Sequence, residues 1–370
     1  MIRIDEIYNN TFWPFIKQNI PLTRMFYCDP PGASQPENII SFGTQYTDLN
    51  YIFFHDQEPI HLDIHKDLFV DIERRNEDCC ALNGPEHTGL VTSEYNSDIA
   101  SRVCSVFGWK HYYYFFHGWA ALDWYRGYNN SFLMPRPQDR KISRSFISAN
   151  RIIGGKRDHR VLLMYHLLKS NVSQSLMSFP RTCPVEQLPV VEIAKKFSAT
   201  YPDIVDVFAQ TNLPYDFPGE SGHPMHSCWL SLFDEHASSM VYVITETVFA
   251  GQRHHLTEKS FKPICLRMPF VMVSTQGSLS YLRKYGFKTF GDIWDESYDD
   301  EVDDNQRLEK IAKLLKSFDQ MTVLELEKLY QKTIPIIEHN YNHFYGGSFE
   351  SVLWQELVAM LEQIKTDFNT

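Results

Sequence analysis

The chain reads as an α/β protein of two parallel-sheet domains, their loop edges facing a cleft, followed by a helical tail. Three observations lead there. Its 370 residues exceed what one hydrophobic core commonly serves. Short apolar runs alternate with stretches of helical spacing in both halves, the pattern of strands joined by crossover helices. From Asp303 onward nearly every segment has helical spacing. The expected divisions are 1–144, 145–345 and 346–370.

In the first half, Tyr51–Phe54 is an apolar run that ends in His55-Asp56-Gln57-Glu58. Gly89–Thr92 is a second strand. Glu94 and then Asn96-Ser97-Asp98 follow it, the last three able to cap a helix through Phe107. Tyr112–Phe116 reads as a third strand and Trp119–Arg126 as a helix. In the second half, strands are expected at Ser145–Ser148, Ile204–Phe208, Met240–Ile244 and Phe270–Val273, with a helix over Arg157–Leu168 after the Gly154-Gly155 loop. The tail should hold helices over Arg307–Phe318, Val323–Asn340 and Phe349–Phe368, the last with Leu353, Leu357, Met360 and Leu361 on one face.

Composition narrows the class. Hydrophobic residues make up 43% and charged residues 22%, as in ordinary globular proteins. No apolar run approaches the roughly 18 residues that span a bilayer. The opening MIRIDEIYNN has acids where a signal peptide has a basic end, so a cytoplasmic location is expected. Seven cysteines, one adjacent pair at Cys79-Cys80 and no C-x-x-C spacing imply reduced, mostly buried thiols and no zinc site. A net charge of −11 argues against general nucleic-acid binding. Yet residues 136–160 carry eight Lys/Arg against two Asp, either as a solvated linker or as the lining of an anion site.

In open parallel sheets, ligands gather at the carboxyl ends of the strands. The stretch before the last expected strand contains Thr257-Glu258-Lys259 at a helix start. Thr257 can cap that helix, whose free N–H groups and dipole, joined by Lys259, suit a diphosphate. Glu258 can accept from a ribose diol. The same three residues also make a capping sequence that stabilises a helix and does nothing else.

Around them the chain resembles the donor-binding motif of the α-1,3-fucosyltransferases. That family has an apolar strand ending in glutamate, then Thr-Glu-Lys, a helix, and a Pro-led strand running into a Gly-containing loop. Here these are Glu246, Thr257-Glu258-Lys259, Pro269 and Gly277, with Gly286–Phe290 where the family has an aromatic-rich strand. A second match is Phe146–Asn150, with Arg160 opening a helix and Leu167 seven residues on; Arg157 is the alternative to Arg160. The resemblance covers residues 145–300, is thin before them and absent from the tail. Thr247-Val248 stand where the family has Asn-Ser, which leaves the base and the sugar open.

The resemblance implies a GT-B type fold and inverting, metal-independent transfer from a nucleotide-sugar donor to a hydroxyl acceptor, with no cofactor. It also implies donor contacts by Asn150, Arg157 or Arg160, Glu246, Thr257, Glu258 and Lys259, and by analogy a last helix that crosses back to the first domain. Inverting transfer needs one base for the acceptor hydroxyl. Tyr51–Glu58 resembles the family's Phe-Tyr-Thr-Gly-Glu-Asn with one residue inserted, so Glu58 is the leading base, with Asp56 and Glu94 as alternates. His117, Trp119 and Trp124 offer aromatic surface for an acceptor ring, or else pack a core. No Asp-x-Asp follows a strand, and the acidic run 295–301 reads as a solvated loop. Two other readings share these features: sugar transfer to a hydroxymethylated base in DNA, and a nucleotide-sugar or glycan-binding module without turnover.

Overall fold

The computed structural model describes residues 4–20, 23–27, 40–41, 50–62, 87–129, 133–217 and 230–369. Its strands are β1 (Thr23–Tyr27), β2 (Ile40–Ser41), β3 (Asn50–His55), β4 (Thr88–Thr92), β5 (Lys110–Tyr113), β6 (Arg144–Ala149), β7 (Leu176–Ser178), β8 (Ser239–Thr245) and β9 (Phe270–Val273). The helices that matter here are α1 (Asp98–Phe107), α2 (Phe116–Trp124), α3 (His159–Lys169), α4 (Ile204–Gln210), α5 (Glu258–Cys265), α6 (Asp304–Asp319), α7 (Val323–Tyr345) and α8 (Ser348–Phe368). The chain forms two compact units. One comprises Met1–Asp123, Gly251–His255 and Gly347–Thr370, the other Trp124–Ala250 and Leu256–Gly346. Each is a mixed α/β assembly around a mainly parallel sheet, compatible with two Rossmann-like domains.

The first unit's sheet has the order β2-β1-β3-β4-β5; every pairing is parallel except that of β2 with β1. The continuous apolar run of β3 is buried, as a two-sided parallel strand requires. Register pairs His55 with Thr92 and Thr92 with Tyr113, so Asp56, Ser93 and Tyr114 fall in one row just past the strand ends. Ser97 caps α1 by accepting from Ala100 N, and Gly108 closes it in the left-handed conformation. The apolar face of α8 packs in this unit. A Cβ at Gly118 would lie 3.0 Å from both Leu353 and Phe349, so glycine permits that approach.

The second unit's sheet is fully parallel, in the order β7-β6-β8-β9. Strands β6, β8 and β9 coincide closely with the apolar runs of the sequence; β7, only three residues long, was not expected, and Ile204–Phe208 is helical. Ile204 and Phe208 are buried four residues apart while Asp206 is exposed, a helical period that the β-branched residues of IVDVF disguise. Similarly, β5 stops at Tyr113, where its partner β4 stops, and Phe116 already opens α2. The division between units falls at Asp123, ahead of residue 145. Residues after it bond within the second unit: Tyr125 Oη donates to Glu258 O at 3.3 Å, Tyr345 Oη donates to Tyr125 O at 3.0 Å, and Arg140 bonds Leu266 O.

Cys104, Cys183 and Cys265 are free and buried; Cys79 and Cys80 lie outside the described residues. Among the described residues no helix is long and apolar enough to cross a membrane.

Candidate functional site

In the second unit, the carboxyl end of β8 and the start of α5 are joined by one carboxylate. Glu246, fully buried, accepts at Oε1 from Thr257 N (3.0 Å) and Ser260 Oγ (2.6 Å), and at Oε2 from Thr257 Oγ1 (2.7 Å). Thr257 has extended backbone and caps α5, its hydroxyl accepting from Lys259 N at 3.4 Å. Lys259 Nζ donates to Thr257 Oγ1 and to Glu258 Oε1, each at 3.1 Å. An ammonium has three N–H donors, so one remains for a ligand, on a side chain that is about a quarter exposed. Glu258 is 5% exposed and paired with that lysine, so it offers little to a ribose in this arrangement.

Behind this start lies Arg160, expected from the sequence to meet a phosphate. It is 5% exposed and donates from Nη1 to Ile152 O (2.8 Å) and from Nη2 to Thr245 O (2.8 Å) and Glu246 O (3.2 Å). Its guanidinium braces the end of β8. Burial first, then the neighbouring Arg157, pulls its pKa down to about 10, against the pull of Glu246 and Glu258, so it stays cationic at neutral pH. Arg157 is half-buried in the turn Gly155–Arg157 that leads into α3, and Lys156 beside it is exposed. Both lie nearer the surface than Arg160. Asn150 links the strand ends, donating to Ser148 Oγ and accepting from Thr245 Oγ1 at 2.8 Å.

Neither a known protein family nor any curated protein matches the chain. What can be said of the site therefore rests on its own geometry.

In the first unit the three candidate acids sit at the carboxyl edge of the sheet in different states. Glu94 is 1% exposed and fully engaged: Oε1 accepts from Arg253 Nη1 (2.8 Å) and Ile60 N (2.6 Å), and Oε2 from Ser97 Oγ. Arg253 comes from the segment Gly251–His255, which no local pattern attaches to this unit. Tyr95 and His254 tie it down through two backbone bonds of 2.9 Å. Asp56 is fully buried, its Oδ2 accepting from Tyr114 Oη (2.5 Å) and Tyr8 Oη (2.7 Å). Glu58 is half-buried. Next to it, Gln57 O meets His117 Nε2 at 2.8 Å, which fixes the turn. His117 and His255 rings stand edge to face, 4.9 Å apart. Trp119, expected to offer a stacking surface, is a core residue instead: it is 1% exposed and packs edge-on against Trp354 at 4.8 Å. Trp124 is half-buried at the end of α2. Among the described residues no group of His, Cys, Asp and Glu could hold a metal ion.

Burial raises the Asp56 carboxyl to about 6, against the hydrogen bonds of Tyr114 and Tyr8. The folded chain thus holds this proton more tightly than the unfolded chain. The stability so gained is complete below about pH 4 and is lost as pH rises through 6. Asp56→Asn lacks this dependence. Between pH 4 and pH 7 the variant should gain on the wild type by up to ~3 kcal/mol in urea denaturation, and a constant difference would count against the raised pKa.

Proposed function

We propose that the chain is an inverting glycosyltransferase of GT-B type, moving a sugar from a nucleoside diphosphate to a hydroxyl acceptor. The observation that carries this is the Glu246 clamp. It fixes the start of α5 at the carboxyl end of a parallel strand and leaves one N–H of Lys259 for a ligand. In this reading Lys259 and Arg157 hold the diphosphate and take up its charge as it leaves. Arg160, Asn150 and Thr257 support them as parts of the frame. Glu58 takes the proton of the acceptor hydroxyl; the freed oxygen attacks the sugar's anomeric carbon, and the bond from that carbon to the phosphate oxygen breaks on the opposite face. His117 holds the turn that carries Glu58.

The reading is tested by thermal shift with a panel of nucleoside diphosphates. At a hundredfold excess over Kd, a ligand that binds only the folded state adds ~2.7 kcal/mol, roughly 5 °C or more for a unit of this size. Lys259→Ala should lose that shift when it is measured against the variant's own ligand-free Tm, which the loss of Glu258's partner lowers. If no nucleotide moves the wild type, the reading fails.

A further inference from the structure

The helical segment 4–19 packs against the carboxyl edge of the first unit's sheet through Tyr8 and Phe12. Its middle turn, Tyr8–Phe12, is π-helical, a form that is rare and concentrated at functional sites. Tyr8 and Phe12 are both buried, and Phe12 packs edge-on against Phe54 (5.1 Å) and Tyr114 (5.2 Å). Ile4 N donates to Asp123 Oδ2 and Asn369 Nδ2 to Asn19 O, each at 3.1 Å, so both ends of the segment are tied. The middle is tied by Tyr8 Oη, which completes a triangle of oxygens. It lies 2.7 Å from Asp56 Oδ2 and 3.0 Å from Tyr114 Oη, and Tyr114 Oη lies 2.5 Å from Asp56 Oδ2.

Three edges of hydrogen-bond length need three hydrogens. The two phenols bring two, so an ionised Asp56 leaves one edge without a hydrogen and a protonated Asp56 fills it. The ring is complete only when it holds that proton. We propose that the ring is a proton-operated latch: with the proton in place it fastens segment 4–19 to the sheet, and without it the segment opens. Burial favours the neutral acid and raises the carboxyl to about 6, against the bonds from Tyr114 and Tyr8. No charge among the described residues enters its protonation, neither His55 and Glu58 beside it in sequence, nor Glu94 with Arg253 past β4, nor His117 of α2. Below about pH 4 the latch is shut. As pH rises through 6 the sealed carboxyl ionises, and local opening hydrates it. The carboxyl edge of the first unit is thus closed in acid and reached more often near neutrality. The latch uses groups of the first unit alone and stands whether or not the chain transfers sugar.

Amide hydrogen exchange of the full chain, corrected for intrinsic rates, tests it. With the carboxyl at its ordinary 3.8 when open and about 6 when closed, protection of amides 9–19 should fall about fiftyfold between pH 4 and pH 7. Amides of β4 should stay better protected than the segment at every pH, which marks a local opening and not unfolding of the unit. Asp56→Asn should flatten the response. Tyr8→Phe, which removes the segment's corner of the ring, should lower protection at pH 4 about fivefold. The proposal is overturned by equal protection at pH 4 and pH 7, by the segment and β4 exchanging together, or by an undiminished response in Asp56→Asn. Were that variant not to fold, unchanged protection in Tyr8→Phe at pH 4 overturns it as well.

Discussion

Glu58→Gln should abolish sugar transfer and leave donor binding intact. A positioned base contributes about 10²- to 10⁴-fold, and glutamine keeps the shape of the side chain while removing its capacity for a proton. The expected result is a fall of that size in turnover, with the thermal shift by nucleoside diphosphate unchanged. The first unit supplies two other acids, and their states set the order of suspicion. Glu94 and Asp56 are buried, at 1% and 0% exposed, whereas Glu58 is half-buried and so the nearest of the three to an acceptor in solvent. Full activity in Glu58→Gln together with loss in Asp56→Asn would move the base one turn inward. A shift with nucleotide but no consumption of any nucleotide sugar, in the wild type itself, would make the chain a binding module.

Arg253→Met should cost about 3–5 kcal/mol, because it strands Glu94, 1% exposed, without its cation. Burial already raises the Glu94 carboxyl, and Arg253 is the largest influence holding it down. Without the arginine the acid should take up a proton, so the variant's deficit in urea denaturation should be greater at pH 8 than at pH 5. Arg253→Met with Glu94→Leu should recover much of the loss, since a buried ion pair is seldom better than apolar packing of like volume. A deficit below ~1 kcal/mol in the single variant would mean that Glu94 is reached by water.

The parallel strands were legible because a strand buried on both faces must be apolar throughout, as Tyr51–Phe54 and Met240–Ile244 are. Thr257 could be read as a cap from its place before a helical run. The reach of Glu246 across eleven residues to the same hydroxyl could be suspected only through the resemblance. Spending is what the letters conceal. Arg160 and Arg157 look alike in sequence, but the first is buried against three carbonyls and the second is half-buried in a turn. The pairing of Glu94 with Arg253 spans 159 positions and leaves no local pattern. Trp119 shows the reverse: an aromatic beside polar neighbours suggested a surface, but the helix face it occupies is set by Gly118, Leu353 and Phe349.

The first unit borrows its final helix, Ser348–Phe368, from the far end of the chain, more than two hundred residues after Asp123. A ribosome adding about 5–20 residues per second takes tens of seconds to deliver it. Until then the surface around Gly118 that receives Phe349 and Leu353 lacks its cover, so the first unit cannot complete its core before the end of synthesis.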